Sequence, residues 1–449
     1  MIPALPAVVW RATPNQEIWP NGNWTRITQR NEHEPAAPAA NAGARNQPTG
    51  KQPAYPHRQG GAMATQQPAC ETWTDKNRYW WPLGALTMTL PIISAQLALS
   101  TGWHLFWWFG PLFVFGIIPI LDMLIGMDSN NPPESAVAAL EQDRYYRYVV
   151  YLATLVAYVS FAYALWIVST QSLNGYDYVG LAMSLGTATG ISINTAHELG
   201  HKNNRFERWL AKITLAPVAY GHFFVEHNRG HHVRVATLDD PASARYGESF
   251  WAFLPRTVTG SVRSAWRLEK ARLARTGRSC WSWRNEVLHA WAMTAALWGA
   301  AIALCGAQVL PLLLIQAAYG ASLLEVVNYT EHYGLGRKQL PSGRYERCTS
   351  AHSWNSNHVV TNLFLYQLQR HADHHANPAR AYQALRHFDD SPQLPAGYAT
   401  MILLAYVPPL WFKVMNPRVV RHYGTNIGQS NIKPSIRQRV LAELGAARA

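Results

Sequence analysis

The stretch that decides the fold is Tyr148–Val168, which reads YVVYLATLVAYVSFAYALWIV and contains no charged residue. A helix needs about 20 mainly apolar residues to cross the hydrocarbon layer of a bilayer. Five more runs of similar length accompany this one. The six predicted spans are Trp80–Thr101, Trp103–Ile125, Tyr148–Val168, Tyr178–Gly200, Val287–Gly306 and Val309–Tyr329. We therefore expect an all-α polytopic membrane protein.

The composition of the 449 residues supports this prediction. Charged residues make up 14% and hydrophobic residues 48%, whereas soluble domains carry roughly 25% charged residues. The 19 Trp, 21 Tyr and 13 Phe suit the two membrane interfaces. The four cysteines, Cys70, Cys280, Cys305 and Cys348, form no CxxC pair. This pattern excludes a disulfide framework and a zinc ribbon.

The charge distribution predicts the orientation of the spans. The segment from His201 to Glu286 holds 15 Lys and Arg, whereas the turns at Gly102, at residues 171–177 and at residues 307–308 hold none. By the positive-inside rule the basic side is cytoplasmic, with both termini on that side of a bacterial inner membrane. This orientation accounts for the net charge of +13, so the charge does not require a nucleic-acid partner. A shorter run, Tyr398–Val414, contains Pro408-Pro409 and predicts an interfacial hairpin.

The domain organisation follows from a change in composition near residue 76. Residues 1–76 hold 10 of the 28 prolines and show no apolar period, which predicts a disordered N-terminal extension. Met63 is an alternative translation start. Residues 77–420 form the predicted membrane domain, and residues 421–449 form a C-terminal cytoplasmic tail.

Histidines cluster in four motifs at the predicted cytoplasmic ends of spans or beyond them. The motifs are Asn194–Lys202 (NTAHELGHK), Glu226–His232 (EHNRGHH), Asn328–Gly334 (NYTEHYG) and Leu368–His375 (LQRHADHH). Spacings of three and four residues place side chains on one face of a helix. The motifs supply nine imidazoles: His197, His201, His227, His231, His232, His332, His371, His374 and His375.

Nine imidazoles exceed the coordination number of one ion and suit two first-row metal ions. Imidazole accommodates iron, zinc, copper and nickel alike, so the residues alone leave the metal open. We expect a cytoplasmic helical cap that holds a histidine-rich dinuclear site. Supporting groups that could orient the ligands are Glu198, Glu226, Asp239, Asp240, Glu331, Asp373, Asn194, Asn328 and Glu325. His222, His352 and His358 are expected to lie near the site without binding metal.

Two other classes of protein fit part of this pattern. His197-Glu198-Leu-Gly-His201 reads as the HExxH motif of zinc peptidases, with Glu198 as the base, but it leaves seven histidines unused. A metal transporter or sensor would place its ligands near the middle of the bilayer. All four motifs lie at or beyond the cytoplasmic ends, which disfavours transport.

In this order, the four motifs resemble the integral-membrane alkane hydroxylase family, the alkane 1-monooxygenases. The histidine spacing alone is shared with membrane desaturases and fatty-acid hydroxylases. The stretches Asn328–Gly334 and Leu368–Pro378 narrow the resemblance to alkane hydroxylases. Gly221-His-Phe-Phe, Asp240-Pro241 and residues 352–358 (HSWNSNH) also match. The similarity covers roughly residues 80–420.

The resemblance implies a six-span bundle with two non-haem iron ions bound by the nine histidines. It implies O2-dependent terminal hydroxylation of n-alkanes to 1-alkanols, with electrons from rubredoxin and an NAD(P)H-dependent rubredoxin reductase. The tail after Val420 has no cysteine, so rubredoxin would be a separate chain. A xylene-type monooxygenase, a fatty-acid hydroxylase and a desaturase remain alternatives within the superfamily.

Two further surfaces are predicted for this function. The alkane would come from the lipid bilayer between the spans. Aromatic residues of the second span are candidates for limiting the chain length of the alkane, and the alternative is that they only pack and contact lipid: Trp103, Phe106, Trp107, Trp108, Phe109, Phe113 and Phe115. A dense basic stretch would dock acidic rubredoxin or touch anionic lipid. It consists of Arg263, Arg267, Lys270, Arg272, Arg275 and Arg278.

Overall fold

A computed structural model describes residues 73–446, and every regular element in that range is a helix. The helices are α1 (Pro82–Thr101), α2 (His104–Ile125), α3 (Glu134–Gln142), α4 (Arg144–Thr170), α5 (Gly175–Gly200), α6 (Arg205–Leu215), α7 (residues 223–234), α8 (Phe250–Ala274), α9 (Glu286–Cys305), α10 (Ala307–His332), α11 (Val359–Phe364), α12 (His371–Ala376), α13 (Tyr398–Ala405), α14 (Pro408–Tyr423) and α15 (Arg437–Ala446). The predicted all-α class is confirmed.

Five helices, α1, α2, α4, α9 and α10, are long and apolar enough to cross a membrane. Only 22% of the most apolar window of α2 and 17% of that of α9 are buried inside the protein. A helix that leaves so much apolar surface uncovered needs lipid as its second solvent. The predicted polytopic membrane protein is therefore confirmed.

The fourth predicted span is a helix, α5, but its hydropathy does not mark it as a span. It has 26 residues, which at ~1.5 Å per residue give a length of about 39 Å, enough to cross a bilayer. Most of its side chains are buried among the other helices, and many are Gly, Ser or Thr. Such residues lower the hydropathy of a central helix without exposing it to water.

Glycines bring α5 into backbone contact with α10. A Cβ atom added to Gly190 would lie 3.0 Å from the Cα of Gly320, and one added to Gly186 would lie 2.8 Å from the carbonyl oxygen of Gln316. Small residues allow this close approach between membrane helices. Because α5 and α10 both end in predicted site histidines, their packing fixes the distance between those ends.

The short run predicted as a hairpin forms α13 and the longer helical stretch Pro408–Gln429, bent by 119° at the break between them. Pro408 begins the second helix, where its missing N–H costs no hydrogen bond. A single straight span is therefore excluded for this run. Taken as one broken span, the pair would bring the count of candidate spans to six.

Residues 1–72 lie outside the described range, so the predicted disordered extension stays a prediction. At the other end, α14 continues past the predicted boundary at Val420 to Tyr423. The following segment packs on the protein: Ile427 is buried, and the buried Ile432 pairs with Tyr246 in an isolated β-bridge.

Candidate metal centre

The structure brings all nine predicted histidines together in two adjacent groups. In each group one atom per residue lies within 4.8 Å of the corresponding atom of every other member. The first group contains His197, His201, His227, His232 and His374. The second group contains His231, His332, His371 and His375. Eight of the nine side chains come from helices, and His201 follows the last residue of α5.

A π-turn in α7 explains how three nearby histidines serve two groups. Residues His227–His231 form the π-turn, in which hydrogen bonds join residues five apart. His227 and His232 therefore lie side by side, with their Nε2 atoms 3.0 Å apart, and both join the first group. His231 lies between them and joins the second group.

Helix α12 connects the two groups in a similar way. His371 and His375 are four residues apart and share one face, and their Nε2 atoms are 2.9 Å apart in the second group. His374 lies on the neighbouring face, where its Nε2 is 2.9 Å from that of His197 in the first group. One turn of α12 thus supplies ligand candidates to both groups.

Six of the nine imidazoles in the two groups are held in the neutral form. Burial holds the pKa of six imidazoles outside the spans well below the usual range, and neighbouring histidines lower each pKa further, so these rings are neutral near pH 7. The six are His201, His227, His232, His371, His374 and His375. A neutral imidazole has one N–H and one lone pair, which is the form that binds a metal ion.

Two hydrogen bonds fix which ring nitrogen faces the second group. His231 donates from Nδ1 to Oδ2 of Asp240 at 2.9 Å, and its buried Nε2 has no hydrogen-bond partner. His332 donates from Nδ1 to the carbonyl oxygen of His352 at 3.2 Å. Both contacts leave Nε2 as the lone-pair nitrogen, as the outer hydrogen bonds of metal-bound histidines do.

These donor sets fit metal ions better than they fit hydrogen bonds. In the first group, Nε2 atoms of four different pairs of rings lie 2.9–3.0 Å apart. Each neutral ring has a single N–H, so one ring cannot donate to all of its neighbours. A positive ion between the lone pairs would satisfy every nitrogen. The chemistry of the site therefore fits one ion in each group.

A carboxylate approaches the second group. Oε2 of Glu331 lies 3.1 Å from Nε2 of His371, and Oε1 accepts a hydrogen bond from the Tyr398 hydroxyl at 3.0 Å. Glu331 is 1% exposed, so its oxygens are screened from water. The second group therefore contains four imidazoles with a carboxylate beside them, and the first contains five imidazoles.

The other predicted supporting groups contact the scaffold. Asn194 donates to the carbonyl oxygen of Leu365 at 2.6 Å, and Glu198 pairs with Lys202 at 2.6 Å. Glu226 pairs with Arg234 at 2.8 Å. Asp373 accepts hydrogen bonds from Asn377, Arg380 and the backbone N–H of Arg386. These four residues hold the segments that carry the histidines.

The remaining named residues lie around the site at different depths. Asp239 is exposed, whereas Glu325 is buried and accepts hydrogen bonds from Tyr220, Thr257 and Asn328. His222, His352 and His358 belong to neither group. His352 nevertheless contacts the second group through its backbone, a role that no side-chain pattern in the sequence could indicate.

An ion-pair network anchors α7 to α8 and α9. Arg229, in the π-turn, pairs with Glu269 of α8 and Glu286 of α9. Glu269 is fully buried and also accepts hydrogen bonds from Arg272 at 2.7 and 2.8 Å. Burial alone would raise the pKa of Glu269, but Arg272, the Glu286 amide and Arg229 lower it below its usual value. The network holds α7, which carries three of the nine histidines.

The site differs from that of a zinc peptidase. Catalytic zinc in such enzymes has three protein ligands and an open position. His197 and His201 instead meet three further histidines, and Glu198 is held by Lys202 at 2.6 Å. The geometry therefore favours a histidine-rich dinuclear centre over an HExxH peptidase site.

Comparison with known proteins identifies the class of protein to which this chain belongs. Residues 174–405, which include all nine histidines, match the family model described as fatty acid desaturase. Alkane 1-monooxygenase 1 of Alcanivorax borkumensis is 46% identical over 370 residues, covering 82% of this chain and 91% of the relative. Alkane 1-monooxygenase of Acinetobacter baylyi is 45% identical over 379 residues, covering 83% and 92%.

A more distant relative is the hydroxylase component of the xylene/toluene monooxygenase of Pseudomonas putida. It is 26% identical over 238 residues, which cover 53% of this chain and 63% of that protein. The high identity over nearly the full length of the first two relatives decides between these alternatives. The chain belongs to the alkane 1-monooxygenase family, within the membrane desaturase and hydroxylase superfamily. It is a monooxygenase of the oxidoreductase class, it hydroxylates alkanes, and it draws electrons from a redox partner.

Proposed function

We propose that the protein hydroxylates the terminal carbon of n-alkanes at a diiron centre, with rubredoxin as the electron donor. The balanced reaction is R–CH3 + O2 + 2 e⁻ + 2 H⁺ → R–CH2OH + H2O. The observation that carries this proposal is the pair of adjacent imidazole groups in a chain of the alkane 1-monooxygenase family.

The nine histidines named above would hold the two ions. An alkane C–H bond has no polarity that an acid or a base could use, so bound iron would supply the activation of O2. The protein's contribution is to hold the ligands, to orient the methyl group and to keep water out of the apolar route that the alkane takes. Asp240 and the carbonyl group of His352 would keep the ligand rings in one tautomer.

The alkane would reach this site from the bilayer. Phe113 of α2 packs edge-on against Phe364 of α11, with 5.6 Å between the ring centres. Phe113 thereby borders an inner apolar cluster, which consists of Leu90, Val114, Ile118, Val360, Phe364 and Ala399. Ile191 borders that cluster and lies six residues before His197 on α5. Phe113 is therefore a stronger candidate for limiting chain length than Trp103, which is 67% exposed.

The membrane would be the bacterial inner membrane, and rubredoxin would dock on its cytoplasmic side. In the predicted basic stretch, five side chains are exposed: Arg263, Arg267, Lys270, Arg275 and Arg278. Arg272 is instead held by Glu269. Exposed charges of one sign steer an oppositely charged partner and lose this effect as salt rises.

A second candidate substrate class is an alkyl-aromatic compound, because the more distant relative is named for xylene and toluene. The test is turnover of octane, hexadecane and xylene by the protein reconstituted with rubredoxin, rubredoxin reductase and NADH. We expect 1-octanol or 1-hexadecanol with one O2 consumed per product. Benzylic alcohol as the sole product would favour the second class, and secondary alcohols would contradict terminal attack.

A further inference from the structure

We infer that a polar cleft beside His201 is the aqueous route to the first histidine group, and that this cleft does not reach the second group. The inference rests on the proposed diiron function, because it assigns different access to the two ions. The route would deliver the protons of the reaction and release its water, while the alkane arrives from the lipid.

The cleft is a cavity of about 250 Å³ that opens at the surface. The ends of α3 and α4 form one wall, the end of α5 and the following loop form the second, and residues 379–383 form the third. Its polar lining includes Glu141, Arg147, Glu198, Lys202 and Glu207. A cavity lined by several polar groups holds water, whereas an apolar one stays dry.

His201 is the point at which the cleft meets the metal centre. It lines the cavity and is partly exposed, unlike His197, one turn earlier on the same helix face. Nε2 of His201 lies 3.0 Å from Nε2 of His227, so the residue belongs fully to the first group. A molecule in the cleft is therefore separated from the first group by one imidazole ring.

The second group is more deeply buried than the first, and none of its histidines lines the cleft. All four of its histidines are buried. Asp240 covers His231, the His352 backbone covers His332, and Glu331 with Tyr398 covers His371. The two groups thus differ in access, although they share α7 and α12.

The polar lining of the cleft suits the protons and the water of the proposed reaction. Each turnover consumes two protons and releases one water, and neither crosses an apolar bundle readily. The alkane needs the opposite environment and meets the inner apolar cluster that borders α5. Separate routes let water reach the site without opening the apolar route.

The experiment uses an exposed alanine at the rim of the cleft. Ala379→Trp places a large ring over the opening, and Ala274→Trp adds the same ring at another exposed alanine, at the end of α8. First, iron content is measured in both variants. Then a water-soluble, membrane-impermeant iron chelator is added to the detergent-purified proteins, and iron loss is followed over time.

We expect two phases in the unchanged protein, with about half of the iron lost quickly. Ala379→Trp should slow the fast phase about tenfold, since a barrier increase of only ~1.4 kcal/mol gives that factor. Ala274→Trp should leave both phases unchanged. The turnover number of Ala379→Trp should fall while the KM for alkane stays the same.

The outcomes separate the two levels of the proposal. Fewer than two irons per chain in the unchanged protein would contradict the diiron function itself. Two irons that leave at one rate, or a fast phase that Ala379→Trp does not slow, would overturn the aqueous route alone. A higher KM for alkane in Ala379→Trp would make the cleft a substrate route instead.

Discussion

At the scale of single residues, the hydrogen bond from His231 to Asp240 determines which nitrogen of His231 is free to bind a metal ion. Asp240 is 1% exposed, and its Oδ2 also accepts a hydrogen bond from Ser243 at 2.6 Å. Burial alone would raise the pKa of Asp240, but His231 and Ser243 lower it to about 2. The carboxylate is therefore held ionised and keeps Nε2 of His231 free for a metal ion.

We predict that Asp240→Asn weakens iron binding in the second group by about 10- to 100-fold, the usual cost of losing such an outer carboxylate. The first group should keep its iron. Iron retained per chain is measured after dialysis against chelators of increasing strength. Asp239→Asn is the matched control, because Asp239 is the exposed neighbour and contacts neither group. Equal iron loss in both variants would contradict this role.

The residue scale also shows what spacing could predict. The nine histidines were predicted from their clustering, and the structure brings all nine together. Their division between two groups was not predictable, because His227 and His231 are four apart and yet join different groups. The π-turn that separates them leaves no signature in residue type. Glu331 and His371 are 40 positions apart in the sequence, so their contact was not predictable from spacing either.

At the scale of elements, the packing of α5 on α10 sets the geometry of the site. A Cβ atom at Gly186 would lie 2.8 Å from a backbone oxygen of α10, which has no side-chain freedom to move away. A larger side chain there would push apart the helices that carry His197 and His332. Metal ligands tolerate little displacement, so a strain far from the site is transmitted to it.

We predict that Gly186→Val destabilises the protein by roughly 1–3 kcal/mol, the usual cost of overpacking, and lowers iron content in both groups. Thermal inactivation in detergent and iron per chain are the measurements. Gly299→Val is the matched control, because Gly299 lies within the α9 span and a Cβ there meets open space. Retained iron and stability in Gly186→Val would show that α5 and α10 tolerate separation.

All six predicted spans are helices, although hydropathy marks only five of them as long and apolar enough to cross a membrane. Five of the six predicted spans are recognised by length and apolarity alone. The remaining one, α5, is a buried central helix. Its Gly, Ser and Thr residues allow close packing and lower its mean hydropathy. The bend between α13 and α14 was anticipated from Pro408-Pro409, since proline begins helices but cannot continue them.

At the scale of the whole molecule, the sides of the helical bundle and its basic segments differ in chemistry. Apolar surfaces of α2 and α9 face lipid, and the basic segment between α5 and α9 lies on the predicted cytoplasmic side. A second basic surface lies on the hairpin around the Gln339–Tyr345 bridge, with exposed Lys338, Arg344 and Arg347. The two basic surfaces provide a direct comparison for rubredoxin docking.

We predict that replacing the five exposed residues of the basic stretch by Gln raises the KM for rubredoxin about tenfold at low salt, because electrostatic steering is lost. The five are Arg263, Arg267, Lys270, Arg275 and Arg278. Arg272 is left unchanged because it stabilises Glu269. Iron content should be unaffected, and the difference from the unchanged protein should shrink at high salt.

The control replaces Lys338, Arg344 and Arg347 by Gln on the hairpin. We expect the KM for rubredoxin to change little in this variant. The reverse result, with only the hairpin variant affected, would move the docking surface next to His352 and the second group. Unchanged KM values in both variants would contradict an electrostatic dock at either surface.

The most direct test of the central claim is the metal content of the detergent-purified full-length protein. Two groups of five and four imidazoles predict two metal ions per chain, and the proposed function predicts that both are iron. They further predict that His371→Ala loses iron from the second group, while His358→Ala, whose ring contacts Ser356, keeps both ions. One zinc ion per chain, unaffected by His371→Ala, would contradict the diiron account and restore the peptidase reading of His197 and His201.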